Sequence, residues 1–303
     1  MSRKNLLSLV IVLALWFAGD RIGAFAVGRI LDHSNDPIAQ LYGGRTTGNI
    51  VLLGNSRAYR HFDFNVLAKE FGGSVANLSL PGGSMELSVA LLKDYIDRYG
   101  APRILIAELS QICADSEAFK NMRPFVSRSA RLSRLVEEHF PRQYRMGEVS
   151  HLFEYNSEYA LNAMQKVFKP MPDLVLDGAL EADAAAQVKP GTYFVPKLRE
   201  VAAAKELVDV VRHWNIDTRF VLTPVVPEYA AANQIEALRT SAQELTKGFK
   251  FWDLADKPPL DISDFLDYGH LNRQGVKQFM NELRTQGFFA SRHALINGTA
   301  VKP

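Results

Sequence analysis

The chain has 303 residues, of which 47% are hydrophobic and 22% charged, and its formal net charge is +2. This composition is typical of a globular protein rather than of a disordered chain. Residues 1–31 carry a net charge of +3, which leaves −1 for the rest of the chain. A body so close to neutrality lacks the basic surface of a general nucleic-acid-binding protein. The single cysteine, Cys113, excludes an intramolecular disulfide and any cysteine-rich metal or iron–sulfur site.

The N-terminal segment has a basic tip followed by the apolar run 6–19, which Asp20 and Arg21 interrupt. A membrane-spanning helix needs roughly 20 apolar residues, so this run by itself is too short. Two interpretations stay open: a signal anchor from Leu6 to about Ile22, or a signal peptide cleaved near the small-residue site Ala24-Phe25-Ala26. We favour the anchor because that site lies late in the segment and beyond two charges.

Both interpretations place residues 32–303 outside the cytoplasm, and the basic tip predicts a cytoplasmic start. We therefore expect a single-pass protein of a bacterial-type inner (cytoplasmic) membrane, with its body in the periplasm or the extracellular space. The expected organisation is a membrane segment over 1–31 and one large domain over 32–303, which ends in a frayed tail at 297–303.

Short apolar runs alternate with amphipathic helical patterns in two parts of the chain. The runs predict buried strands at 49–53, 74–78, 103–107, 218–224 and 249–253. The helical patterns lie at 87–99, 198–214, 233–247 and about 272–286. This alternation predicts an α/β fold with a parallel sheet. Residues 111–196 contain no clear strand pattern, which indicates a largely helical insertion.

A serine follows the first predicted strand directly, in the sequence Gly54-Asn55-Ser56. At this place the hydroxyl is presented at the carboxyl edge of the sheet, and the serine N–H points towards the anion site at the start of a helix. The plainer interpretation is a glycine turn in which Ser56 caps the helix. The tripeptide alone does not decide between a nucleophile and a cap.

A second polar motif, Asp267-Tyr268-Gly269-His270, lies just before the last predicted helix. An Asp and a His in one turn can be held so that the carboxylate accepts from one ring nitrogen while the other takes a serine proton. The alternative is a polar loop in which Asn272 caps the helix. Loops after the first and last strands of a doubly wound sheet can converge at one edge, so this motif and Ser56 can meet there.

A third block, Asn-Leu-Ser-Leu-Pro-Gly at 77–82, follows the second predicted strand. Together with Gly54-Asn55-Ser56 and the Asp-x-x-His motif, it resembles the conserved blocks of the SGNH (GDSL-like) hydrolases. The resemblance covers roughly 49–110 and 198–290. It implies a flavodoxin-like three-layer α/β/α sandwich, in agreement with the strand and helix patterns, and it gives the final glycine, Gly82, an oxyanion-binding N–H.

The chain departs from that family after the third predicted strand, where Glu108-Leu109-Ser110-Gln111 replaces Gly-x-Asn-Asp. The asparagine that donates to the oxyanion is absent, and Ser110 is nearest to its place. Loss of one such donor typically costs about 2.7–4 kcal/mol of transition-state stabilisation. The departure, the N-terminal segment and the insertion are similar to a branch that includes the D-alanyl-lipoteichoic acid transfer protein and the alginate acetylation proteins.

The resemblance implies acyl transfer through a seryl ester. Ser56 is the expected nucleophile, His270 its base and Asp267 the partner of the imidazole, while the N–H groups of Ser56 and Gly82 form the oxyanion hole. Asn55, Arg57 and Ser110 are candidate substrate-binding residues. No cofactor or metal is expected, since the other histidines show no ligand spacing (His33, His61, His139, His151, His213 and His293).

The expected function is that of a serine acyltransferase or esterase that adds or removes an O-acyl group on an exported polysaccharide or cell-envelope polymer. The resemblance to the branch implies a membrane-bound O-acyltransferase as partner. The alternative is a catalytically weak domain that binds the polymer or acts as a scaffold for that acyltransferase. The absent asparagine favours the alternative, whereas the presence of Ser56, Asp267 and His270 together favours the enzyme.

Three arginines of the insertion, Arg128, Arg131 and Arg134, fall near one side of a predicted helix. They could contact anionic lipid headgroups, an anionic polymer or a membrane partner. A solvated basic face explains the same spacing, and we favour this plainer interpretation.

Overall fold

The computed structural model describes residues 2–169 and 174–290. Two expectations therefore lie outside the described residues, namely the frayed tail at 297–303 and the absence of a ligand role for His293. The chain divides into two compact units. The helical unit comprises 1–46 and 117–172, and the sheet unit comprises 47–116 and 173–303.

The described helices and strands follow one another along the chain with four 3-10 segments between them. The α-helices are α1 Arg3–Asp32, α2 Pro37–Tyr42, α3 Ser56–His61, α4 Phe64–Phe71, α5 Met85–Tyr99, α6 Ala130–His139, α7 Pro141–Val149, α8 His151–Glu154, α9 Glu158–Gln165, α10 Leu198–His213, α11 Pro227–Ala232, α12 Ile235–Leu245 and α13 Arg273–Thr285. The strands are β1 Ile50–Leu53, β2 Val75–Asn77, β3 Ile104–Glu108, β4 Asp217–Leu222, β5 Phe251–Asp253, β6 Phe265–Asp267 and β7 His270–Leu271. The 3-10 segments are Leu109–Cys113, Ser116–Arg128, Ala184–Gln187 and Ile262–Asp264.

The sheet unit contains a five-stranded parallel sheet in the order β2-β1-β3-β4-β5. This is the strand order of flavodoxin-like folds, so the expected fold class is confirmed. Ile50 and Leu52 of β1 pack in one apolar cluster with Leu67 of α4 and Phe279 of α13. Because side chains alternate along a strand, Val51 of β1 is directed to the opposite face. The sheet is thus the middle layer of an α/β/α sandwich.

The N-terminal apolar helix, α1, is longer than the sequence pattern indicates. It continues through Asp20 to Asp32, because the Asp20 carboxylate accepts hydrogen bonds from the N–H groups of His151 (2.8 Å) and Leu152 (3.2 Å) at the start of α8. Among the described residues, α1 is the one helix long and apolar enough to cross a membrane, with a mean hydropathy of 1.8 over its best 18-residue window. Such a helix is typical both of membrane anchors and of signal sequences.

The helical unit consists mainly of α1, α2 and α6 to α9. The described residues between β3 and β4 contain no strand. The insertion was expected at 111–196, whereas the helical unit takes 117–172 from it and adds the N-terminal segment.

Candidate active site

The turn between β1 and α3 presents Ser56 as the first residue of a helix. Asn55 is the helix cap, and its Oδ1 accepts the Arg57 N–H at 2.9 Å. The turn requires a glycine at position 54, because a Cβ there would lie 2.3 Å from the Cβ of Ala58 and 3.0 Å from that of Glu108. The half-buried Ser56 is therefore held at the carboxyl edge of the sheet, as the sequence predicts.

Ser56 and His270 are in direct contact although they lie 214 positions apart in sequence. The Nε2 atom of His270 is 2.7 Å from the Oγ of Ser56. Its Nδ1 is 2.8 Å from Oδ2 and 2.9 Å from Oδ1 of Asp267. The structure thus brings the three expected catalytic residues into one hydrogen-bonded chain. Their catalytic role stays a prediction.

The two-stranded antiparallel hairpin β6–β7 holds both Asp267 and His270. Within its turn, the Oδ1 of Asp267 also accepts the backbone N–H groups of Gly269 (2.8 Å) and His270 (2.9 Å). Partial burial raises the pKa of Asp267, but the hydrogen bond from His270, its charge and the two N–H donors outweigh burial, so the pKa lies below its ordinary value. Asp267 is therefore a carboxylate at neutral pH, although its side chain is 53% exposed.

A second histidine, His61 at the end of α3, packs against this hairpin and accepts a hydrogen bond from it. Its fully buried ring accepts the Leu271 N–H at Nε2 over 3.1 Å and lies edge-on to the His270 ring, with centroids 6.0 Å apart. Burial and the neighbouring charges of Arg57 and His270 hold the pKa of His61 well below its ordinary value. No local pattern in the sequence separates a supporting histidine from a core one, so this contact of His61 was not predicted.

Gly82 lies on the turn after β2, and backbone hydrogen bonds connect this turn to the turn 54–56. The Leu80 N–H donates to the Gly54 carbonyl at 3.0 Å, and the Gly83 N–H donates to the Leu80 carbonyl at 2.8 Å. Gly82 has a φ of +69°, in the left-handed region that favours glycine. The Ser56 N–H is one of the helix-start donors without an intrahelical partner. Whether these two N–H groups bind an oxyanion stays a prediction.

The hydroxyl of Ser110, the residue expected nearest to the family's absent oxyanion donor, makes hydrogen bonds to two buried side chains beside the turn 54–56. Its Oγ accepts from Asn55 Nδ2 at 3.0 Å and donates to Glu108 Oε2 at 2.6 Å. A serine hydroxyl has one proton, so Ser110 has none left for an oxyanion in this arrangement. Asn55 Nδ2 keeps a second proton beyond the one given to Ser110. The substrate-binding roles expected for Asn55 and Ser110 stay predictions.

Arg57 follows Ser56 but lies inside the sheet unit, with 1% of its surface exposed. Its Nε donates to Thr223 Oγ1 at 3.1 Å, its Nη2 donates to the Thr223 carbonyl, and the same Nη2 is 3.9 Å from Glu108 Oε1. These contacts tie α3 to the end of β4. The substrate-binding role expected for Arg57 stays a prediction.

Aromatic side chains form a wall beside these elements that the sequence analysis did not single out. Tyr229 stacks on Tyr268 of the Asp-x-x-His turn, with ring centroids 5.4 Å apart and planes 9° apart. Tyr193 lies 5.8 Å from the Tyr229 ring and is 53% exposed. Flat, partly exposed rings of this kind suit the apolar face of a sugar or an acyl chain.

Metal chemistry has no evident site in the part of the chain that the structure describes, where no group of three or more His, Cys, Asp or Glu side chains could hold an ion. The Cys113 thiol is buried, and burial raises its pKa to about 12. It is therefore a poor nucleophile at neutral pH.

Comparisons with known proteins add little. No family model and no curated protein matches this chain. Among solved structures, the chain is similar to a protein from Streptococcus pneumonia described as a candidate platelet activating factor. The two share 12% identity over 92% of this chain and 98% of that one, with a TM-score of 0.39. A likeness this distant carries no functional argument, so the functional conclusions depend on the site itself.

Proposed function

We propose that this protein is an SGNH-type serine acyl-ester hydrolase or O-acyltransferase. The observation that carries the proposal is the chain from Ser56 Oγ through the His270 ring to the Asp267 carboxylate, with contacts of 2.7 and 2.8 Å. A serine bonded to an imidazole that a carboxylate orients is the arrangement of an activated nucleophile. Neither a helix cap nor a polar loop requires these three side chains in this order.

In the first half-reaction, Ser56 Oγ attacks the carbonyl carbon of an acyl ester while His270 Nε2 takes the hydroxyl proton. Asp267 stabilises the imidazolium that forms. The N–H groups of Ser56 and Gly82 receive the developing oxyanion. When the tetrahedral intermediate collapses, the bond to the leaving alcohol breaks, His270 returns the proton to that alcohol, and the acyl group stays on Ser56.

In the second half-reaction, His270 removes a proton from an acceptor hydroxyl, which attacks the seryl ester. Water as acceptor gives hydrolysis, and a sugar hydroxyl gives O-acyl transfer. The bond to Ser56 Oγ then breaks, and the proton passes from His270 back to the serine. The aromatic wall of Tyr193, Tyr229 and Tyr268 supports a sugar-containing acceptor, because sugars stack on such rings.

The N-terminal helix supports retention of a membrane anchor. Within the helical unit, Asp20, Ala24, Gly28 and Leu31 are the buried face of α1. Cleavage near residues 24–26 would remove part of this face and leave its packing partners exposed. We infer a single-pass protein of a bacterial-type inner membrane whose body acts outside the cytoplasm on an exported glycan or envelope polymer, with a membrane-bound O-acyltransferase as partner.

One observation favours the alternative of a catalytically weak domain that binds the polymer or acts as a scaffold for the acyltransferase. Ser110 stands nearest to the family's third oxyanion donor, and its proton is given to Glu108. With two backbone donors only, the transition state loses stabilisation worth about 2.7–4 kcal/mol. The alternative thus predicts an intact but slow site.

The experiment that tests the proposal is intact-mass analysis of the full chain after a fluorophosphonate serine probe. We expect one adduct, which the Ser56→Ala variant lacks. Ser79→Ala is a matched control, since Ser79 is another buried hydroxyl that hydrogen-bonds to Asn77 within the same edge of the sheet. Absence of an adduct on folded protein would overturn the enzyme, and an adduct that forms only slowly would favour the catalytically weak domain.

A further inference from the structure

The helical unit contains a cleft of about 610 Å³ along the second half of α1. Its lining includes Arg21 and Arg29 of α1, Arg128 at the end of a 3-10 segment, and Glu154 of α8. None of these residues belongs to the acyl-transfer site, and all of them lie within the helical unit.

The charges that line the cleft favour an anion. Arg29 and Arg128 both pair with the single carboxylate of Asp32, the first at 3.2 Å, so two guanidinium groups share one negative charge. Arg21 pairs with Asp20. Burial raises the pKa of Glu154 to about 7, although the charge of Arg21 opposes this, so Glu154 only partly offsets the excess positive charge at neutral pH.

The cleft begins where the exposed apolar part of α1 ends. Residues 2–19 of α1 and its cap are exposed throughout, and buried positions start at Asp20. Arg21 and Arg29 are eight positions apart, or about 12 Å along the helix axis. With the apolar part in a bilayer, a hydrocarbon core of about 30 Å takes about 20 residues of α1, so the residues that follow the apolar part lie at the membrane surface.

Large apolar side chains stand beside the cleft and are open to the surroundings. Ile22 is 69% exposed and Phe25, which lines the cleft, is 71% exposed. In water such exposure of neighbouring residues is unfavourable. At a membrane surface the same residues contact acyl chains while the arginines face phosphates.

We propose that this cleft binds the phosphate headgroup of an anionic membrane phospholipid. The guanidinium N–H groups of Arg29 and Arg128 donate hydrogen bonds to the phosphate oxygens, as in two-point contacts between arginine and phosphate. The acyl chains extend along Ile22 and Phe25 towards the bilayer. This inference does not depend on the chemistry of Ser56, but it does require that α1 is retained in the membrane.

The test uses the full chain in a neutral detergent, with dihexanoyl-phosphatidylglycerol as the probe and native mass spectrometry as the readout. We expect one bound probe per chain. Dihexanoyl-phosphatidylcholine should bind about tenfold more weakly, because its quaternary ammonium group neutralises the charge of the phosphate and weakens the attraction to the arginines. Equal binding of the two lipids would overturn the proposal. Displacement of the probe by an equal concentration of inorganic phosphate would assign the cleft to free phosphate and overturn the lipid.

Charge-matched variants locate the binding. Arg29→Gln removes a guanidinium that is 61% exposed in its side chain, so the fold should persist, and we expect about tenfold weaker probe binding. Arg134→Gln makes the same change on α6, away from the cleft, and should leave binding within about twofold. Glu154→Gln removes a lining carboxylate and should tighten binding. If Arg29→Gln and Arg134→Gln bind alike, the cleft is not the site.

The Ser56 labelling rate serves as an independent readout for these variants. Arg29→Gln should label with a fluorophosphonate as fast as the wild type, since Arg29 is not part of the acyl-transfer machinery. Lipid binding and serine activation can therefore fail separately, and neither result substitutes for the other.

Discussion

The hydroxyl of Ser110 donates its single proton to Glu108 across 2.6 Å and accepts the side-chain amide of Asn55 at 3.0 Å. Both partners are buried, at 0% and 6% exposure. Ser110 therefore connects a core carboxylate to Asn55, which caps the helix that begins with Ser56.

The first prediction concerns this connection. Ser110→Ala should lower the free energy of unfolding by about 1–3 kcal/mol, because it leaves the Asn55 amide without its partner. It should also slow fluorophosphonate labelling of Ser56 by roughly ten- to a hundredfold, since the turn is no longer held in register. Labelling is measured per folded molecule by intact mass.

Ser88→Ala is the control for this change, because Ser88 is equally buried and donates to Gln111 Oε1 at 2.6 Å without contact to Asn55. It should destabilise the fold comparably and leave the labelling rate unchanged. Similar labelling by both variants would mean that Ser110 has a structural role only.

The second prediction concerns Asp267. Asp267→Asn should reduce labelling of Ser56 by roughly a hundred- to ten-thousandfold. The amide lacks the negative charge that stabilises the imidazolium, and it no longer holds the imidazole of His270 in the tautomer that accepts the serine proton. Asp177→Asn, which alters an exposed pair with Arg273, should label within about twofold of the wild type. Normal labelling of Asp267→Asn would remove this residue from the mechanism.

The third prediction is a pH dependence of stability from His61. Its folded-state pKa is lowered, so only the unfolded chain takes up this proton near neutral pH. Stability is therefore complete above about pH 6.5 and falls as the pH drops below it. Between about pH 7.5 and about pH 5.5, the free energy of unfolding should fall by about 1.4 kcal/mol from this group.

Urea unfolding followed by tryptophan fluorescence measures this, in a Trp16→Phe background where the two remaining tryptophans, Trp214 and Trp252, both lie in the sheet unit. His61→Gln keeps an acceptor for the Leu271 N–H and lacks the titration, so its dependence over this range should be smaller by that amount. An unchanged dependence in His61→Gln would show that other groups carry it.

The fourth prediction separates two glycines. Gly54→Ala should cost about 3 kcal/mol and abolish labelling, because its Cβ would lie 2.3 Å from that of Ala58 in the nucleophile turn. Gly72 has a φ of +63°, and a Cβ added there would have no atom within 4 Å. For Gly72→Ala, only backbone strain of about 1 kcal/mol is therefore expected, with normal labelling. Comparable losses in both variants would contradict the close approach.

The fifth prediction concerns the N-terminus. Protein purified from membranes should keep residues 2–31, because the face of α1 from Asp20 to Leu31 packs within the helical unit. Intact mass of the mature protein decides this. A mass that corresponds to a chain starting after residue 26 would establish a cleaved signal peptide. It would also overturn the proposed lipid site, because part of the lining of the cleft would be lost.

Much of the fold could be predicted because the central strands β1 and β3 are buried at every position. The run Ile50–Leu53 is apolar at every position and buried at every position, as expected for a parallel sheet covered on both faces. The hairpin β6–β7 escaped prediction, since strands of three and two residues are too short to show a periodic pattern. The full length of α1 escaped it too, because the partners of Asp20 lie about 130 positions away.

The strand positions, the turn that presents Ser56 and the Asp-x-x-His motif could be predicted from the sequence alone, because each depends on residues within a few positions of one another. The tertiary structure was needed to bring Ser56 to His270, to place His61 against Leu271 from 210 positions away, and to bury Arg57 and Ser110. These relationships depend on side-chain hydrogen bonds between elements distant in the chain. Such bonds form only once the sheet has brought the carboxyl ends of its strands to one edge.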